Sequence, residues 1–195
     1  MLTVGHSTRA QDDFIALLLA HGVKQLVDVR TIPRSRHNPQ FNRDSISSAL
    51  RAAGIGYVHM KELGGLRHPR PNSINTGWRN AGFRGFADYM QTREFADGLR
   101  KLMELAKTMR TAILCAEAVP WRCHRSLIAD ALLVHGYRVE EIESLKRTRT
   151  HRLTPWARIE VSQITYPVAD VSPQEGTTKE TEPDGARRLP KRRKE

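Results

Sequence analysis

LLLAHGVKQLVDV (17–29), LRAAGIGYVHM (50–60) and LLVHGYRVEEI (132–142) read alike, and what they share sets the architecture. In each, apolar residues at helical spacing stop just before a glycine, Gly22, Gly54 or Gly136, and a short β-prone run follows. Glycine there accepts the left-handed backbone conformation that closes a helix. Two further apolar runs, Leu2 to Val4 and Ala112 to Leu114, are short enough for buried strands. Asp12 is placed to cap a helix whose inner face carries Phe14, Leu17 and Leu18. Residues 93–109 set Phe95, Leu99, Leu102, Met103 and Ala106 at helical spacing, and residues 124–135 do the same with Leu127, Ile128, Ala131 and Leu132. Strands alternating with helices favour a parallel sheet covered on both faces by right-handed crossovers. The expected fold is a three-layer α/β domain, a mostly parallel open sheet with helices on both sides.

The chain has 195 residues, enough for one domain with a real core. That domain is expected over 1–160, followed by an extension over 161–195. Beyond about Val168 the extension is rich in Pro, Glu, Thr and Lys and ends RRLPKRRKE, too poor in apolar residues to fold alone, so a largely disordered basic tail is expected. The composition has 32 Lys and Arg against 21 Asp and Glu, a formal charge of +11, with Arg far ahead of Lys. Such a balance suits a polyanion partner, and arginine suits bidentate grip on phosphate. No apolar run is long enough to span a bilayer and no secretory leader is visible, so no membrane partner is expected. Two cysteines without a leader point to free thiols in the cytoplasm.

In open α/β sheets, ligands bind beyond the carboxyl ends of the strands. Four loops bring polar residues to that edge: His6 and Ser7; Asp28 and Arg30 leading into Arg34, Ser35 and Arg36; Glu62 with Gly64 and Gly65; and TAILCAEAVPWRCHR (111–125). The last packs Cys115, Glu117, Cys123, His124, Arg122 and Arg125 into a strand-to-helix loop. Cys123, at a helix N-terminus between arginines and His124, is the expected reactive thiol. A phosphatase loop is excluded, because six residues separate Cys115 from Arg122 and they include a carboxylate and a proline that lacks an amide hydrogen. Zinc held by Cys115, Cys123, His124 and His6 is set aside, since paired CxxC spacing is absent and Cys123 and His124 are adjacent. No metal is expected, and the sequence names no cofactor. Residues 61–86, glycine-rich and without periodicity, form a loop long enough to have a functional role.

TVGHS (3–7), LVDVR (26–30), PRSR (33–36), Phe41, GIGYVHMKELGG (54–65), GFADYM (85–90), CAEAVPWRCHR (115–125) and HRLTPWAR (151–158), in this order, resemble the family called domain of unknown function 488 over roughly residues 2–160. The resemblance implies a compact α/β domain whose motifs share one polar rim; it implies no settled activity. LVDVR and CAEAVPWRCHRS also look like pieces of a rhodanese, a sulfurtransferase, though the second cysteine, Glu117 and the 61–86 loop do not fit that pattern.

The leading expectation is an enzyme or sensor acting on a phosphate-bearing nucleotide or nucleic acid. Cys115, Glu117, Cys123 and His124 are its expected catalytic groups, Cys123 being the nucleophile. His6, Ser7, Asp28, Arg30, Arg34, Ser35, Arg36 and Arg125 are expected to bind substrate. The alternatives are rhodanese-like sulfur transfer, a thiol redox switch, and a non-catalytic nucleic-acid-binding module that relies on the basic tail and residues 146–158.

Overall fold

A computed structural model describes residues 1–168. Its main sheet is built from β1 (Leu2–Gly5), β2 (Gln25–Asp28), β3 (Gly56–His59), β4 (Thr111–Cys115), β5 (Glu140–Ser144) and β6 (Arg147–Thr150), in the order β3-β2-β4-β1-β5-β6. The first five strands are parallel and β6 runs antiparallel along the edge. The helices are α1 (Gln11–Ala20), α2 (Arg43–Ala52), α3 (Ala81–Tyr89), α4 (Arg93–Thr108) and α5 (Arg125–Val134).

The layering follows from the twofold alternation of side chains along each strand. Leu2, Val4, Leu26, Ala112 and Leu114 face one side, packed with Phe14, Leu17 and Leu18 of α1 and Ile46 and Leu50 of α2. Val27, Ile113 and Cys115 face the other, packed with Phe86 of α3, Leu99 and Leu102 of α4 and Leu127 of α5. The three-layer α/β fold is therefore present as expected.

The three glycine signatures close helices by one mechanism. Gly22, Gly54 and Gly136 have φ of 66°, 72° and 80°. The next residue in each case, Val23, Ile55 or Tyr137, donates its amide to Leu18, Leu50 or Leu132, five positions back. That is the Schellman closure, and it turns each helix directly into its strand. Asp12 does not cap α1; Ala10 precedes the helix, and Asp12 and Asp13 sit in its first turn, where the positive end of the helix dipole favours them.

Strand order locates the ligand-binding edge. From β1 the chain passes over β4 to reach β2, whereas from β4 it passes over β1 to reach β5. The connections leaving these two neighbours thus run in opposite directions, and their carboxyl ends flank a topological switch point.

The polar stretch 144–160 holds more structure than its pattern suggests. β6 (RTRT) has no apolar alternation, and it is held by main-chain pairing with β5 and by ion pairs of Arg147 with Glu143 and of Arg149 with Glu141 and Glu143. β7 (Arg158–Glu160) and β8 (Gln163–Thr165) form a hairpin, so the fold runs past residue 160. Tyr166 is fully buried and its hydroxyl donates to Asp130, 2.9 Å away. The remainder of the expected extension, 169–195, lies outside the described residues. No helix among the described residues is long and apolar enough to cross a membrane.

Asp130 and Glu141 grip His151 between them, at 2.8 Å from Nε2 and 3.0 Å from Nδ1. Burial alone would lower the His151 pKa, but the two carboxylates outweigh it and raise the value to about 9. In the unfolded chain the imidazole titrates near ~6.5. The folded value is the higher one, so the contribution to stability is complete below about pH 6.5 and is lost as pH rises through about 9. Thermal unfolding of wild type and His151→Gln should therefore differ most in mild acid and converge in alkali. A constant difference across that window would contradict the assignment.

Candidate functional site

A cleft of about 700 Å³ opens at the β1/β4 switch point. Cys115, the last residue of β4, is at its floor and points to the α5 side of the sheet. A short turn at Pro120–Arg122 then leads through Cys123 and His124 into α5. Both cysteines are free thiols, 7% and 3% exposed, and both line the cleft with His124. His124 Nδ1 lies 3.8 Å from Cys115 Sγ and 3.7 Å from Cys123 Sγ. His124 Nε2 lies 3.0 Å from the Val29 carbonyl, which can only accept. Nε2 therefore carries a hydrogen, and Nδ1 is left facing both sulfurs.

The two thiols titrate as a pair. Interaction with the neighbouring Cys123 thiol, foremost, holds the Cys115 pKa well below its usual range; burial opposes this, and His124 and Arg125 assist it. The same interaction, together with burial, pushes Cys123 well above the usual range. The low-pKa sulfur is thus Cys115 rather than Cys123, because the thiol that gives its hydrogen to its neighbour is the harder one to ionise.

The loop after Cys115 is pinned from beneath. His6 and Ser7 amides donate to the carbonyls of Cys115 and Ala116 at 3.1 and 2.9 Å. Arg125 Nη1 donates to the Glu117 carbonyl, and Nη2 to that of Ala118 at 2.9 Å. A trans peptide points its N–H opposite its C=O. The Ala118 and Val119 amides therefore face away from Arg125, on the cleft side of the loop, and neither has a partner among the described residues. Gly5 permits this approach, since a Cβ there would overlap the Glu117 carbonyl and the Arg125 guanidinium. Gly5→Ala is expected to displace the loop and lower stability by more than about 2 kcal/mol, read by urea unfolding; an unchanged midpoint would show that the loop yields without cost.

Several residues expected to bind substrate have other partners. Arg125 is only 1% exposed and is spent on the loop carbonyls. Asp28 is fully buried, paired with Arg30 at 2.6 Å and accepting the Tyr57 hydroxyl. Arg30 reaches the cleft, but its guanidinium also donates to the Phe41 carbonyl and faces His6 Nε2. His6 donates from Nδ1 to the Ser7 carbonyl and stacks on Phe41. Burial, foremost, holds its pKa below the usual histidine value, so it is a neutral link at pH 7. Ser35 lines the cleft while its Oγ accepts the Asn38 amide. Arg36 is exposed and outside the cleft.

Ser7, Arg34 and Glu117 do line it. Ser7 holds φ at 52°, unusual for a residue with a side chain and of a kind that collects at binding sites. Arg34 and Arg122 are exposed on the rim with no ion pair among the described residues. Arg122, Ile32, Leu66, Asn80 and Phe83 are among the other wall residues, none of them expected as a site residue. Arg122 was legible beside Cys123 in WRCHR (121–125), and Leu66, Asn80 and Phe83 only as members of the 61–86 loop, whereas Ile32 carries no local signal.

Most of the 61–86 segment serves the fold. Asp88 accepts from Arg70 N, Ser73 Oγ and Asn75 Nδ2 at 2.6–2.8 Å, which ties the loop down. Its ends reach the site: Gly65 lies against His124, where a Cβ would overlap the imidazole.

No curated protein and no solved structure matches the chain. A family model does match, over residues 10–132, a span that takes in α1, the cleft floor and most of α5. The chain belongs to the family described as domain of unknown function DUF488.

Proposed function

We propose that the chain is a thiolate-dependent enzyme acting on a phosphate-bearing nucleotide or nucleic acid in the β1/β4 cleft. The observation that carries this reading is the cleft itself, lined by Cys115 beside Cys123 and His124 and by a loop whose Ala118 and Val119 amides have no partner among the described residues. Free amides and the Arg34 and Arg122 guanidiniums suit an anionic group. Cys115 is the attacking sulfur. Its bond to the substrate forms as the leaving group departs with the electron pair and takes up the Cys123 hydrogen. The test is a turnover screen of phosphate-bearing compounds with wild type and Cys115→Ser. The reading expects activity that falls at least about a thousandfold in the variant while folding is kept. Salt-dependent nucleic-acid binding with no turnover, equal in both proteins, would favour the binding module instead.

Sulfur transfer is the second reading. It draws on a cysteine at a strand end in a cleft shared with free amides, which would hold a Cys115 persulfide. Thiosulfate-to-cyanide transfer dependent on Cys115 would favour it.

A further inference from the structure

We propose that the same floor is a three-coordinate site for a borderline-soft divalent ion such as Zn²⁺, held by Cys115 Sγ, Cys123 Sγ and His124 Nδ1, with its fourth position open to the cleft. The three ligand atoms all lie within 4.8 Å of one another. Tetrahedral zinc, with bonds of about 2.3 Å to sulfur and about 2.05 Å to nitrogen, sets each S···N distance near about 3.6 Å. The observed S···N distances are 3.8 and 3.7 Å, and the two sulfurs, within 4.8 Å of each other, would close to about 3.8 Å around an ion.

Adjacency of Cys123 and His124 argued against such a site in the sequence. The backbone resolves it: Cys123 is extended, with φ −133° and ψ 140°, whereas His124 is already helical, with φ −56° and ψ −18°. That turn brings two neighbouring side chains to one point. The Val29 carbonyl, accepting from His124 Nε2, supplies the outer hydrogen bond that commonly orients a ligating imidazole. Two buried sulfurs and a nitrogen select against magnesium and calcium, which prefer oxygen. Three protein ligands with an open position is the arrangement of catalytic rather than structural zinc.

The site is independent of the reading above, which concerns the metal-free chain: an ion that takes both sulfurs displaces the remaining thiol hydrogen and leaves Cys115 unavailable as a nucleophile while it is bound. The test uses the full chain, stripped with a chelator and titrated with Co²⁺ and then Zn²⁺. One equivalent of Co²⁺ should give a sulfur-to-metal charge-transfer band with tetrahedral d–d bands, bleached by one equivalent of Zn²⁺. Zinc should bind with Kd below about 1 µM. Affinity should fall at least about a hundredfold in Cys115→Ser or Cys123→Ser, and about tenfold or more in His124→Asn. Absence of the charge-transfer band in wild type overturns the proposal without recourse to a variant, as does zinc affinity unchanged in both cysteine variants. Iodoacetamide labelling of the stripped protein separates the two claims. A reactive Cys115 in a chain that takes no Co²⁺ sinks the metal site alone, and Co²⁺ bound by a chain whose stripped Cys115 is inert sinks the nucleophile alone.

Discussion

Asp130→Ala is expected to destabilise the fold by about 3–5 kcal/mol, the usual result of removing one partner from a buried charged network. For a chain of this size that corresponds to a fall of roughly 6–20 °C in unfolding midpoint. Asp130 is fully buried and accepts from His151 Nε2, Thr154 N, Thr154 Oγ1 and Tyr166 OH at 2.7–3.2 Å. Alanine would leave the Thr154 amide and the Tyr166 hydroxyl without acceptors and His151 with Glu141 alone. The residues after β6 are held to α5 largely through this one carboxylate, so limited proteolysis should release them first. Asp130→Asn keeps the volume but sets an amide hydrogen against one of its donors, and should be intermediate. A loss under about 0.5 kcal/mol in the alanine variant would mean that packing of Tyr166, not the carboxylate, holds the segment.

The second large effect concerns the thiol pair. Cys123→Ala removes the foremost cause of the low Cys115 pKa. The midpoint of Cys115 alkylation in chelator-stripped protein should rise by more than about two pH units, toward the ordinary ~8.5. The limiting rate at high pH should rise as well, because a more basic thiolate is intrinsically more nucleophilic. The two changes oppose each other in mild acid, so a rate at one pH would mislead and the whole profile is the readout. A midpoint that stays low in the variant would assign the ionisation to His124 and Arg125 instead.

The helix-to-strand turns were legible because each is a local device: a glycine at positive φ and an apolar residue closing on a leucine five positions back. The edge at which ligands bind was legible too, since strand ends in an α/β sheet share one side. Partner choice was not. Arg125 reads as an anion grip beside Cys123, yet it points inward to two carbonyls of a loop whose path depends on Gly5. Asp28 and Arg30 satisfy each other two residues apart, which leaves Arg34 and Arg122 as rim cations without an ion pair among the described residues. β6 was invisible because cross-strand ion pairs, not apolar alternation, hold it. The two thiols were hard to rank from sequence: position at a helix start favours Cys123, whereas the folded pair, with His124 and Arg125 beside it, lowers the Cys115 pKa and raises that of Cys123.

In the metal-free chain the cleft floor is expected to hold its negative charge on Cys115 and its hydrogen on Cys123. Site-resolved iodoacetamide labelling of the chelator-stripped full chain, followed from about pH 5 to about pH 9.5 by mass spectrometry, tests it most directly. The account predicts that Cys115 is modified first, with a midpoint well below ~8.5, while Cys123 stays protected until strong alkali. Two thiols titrating together near ~8.5, or Cys123 reacting ahead of Cys115, would contradict it.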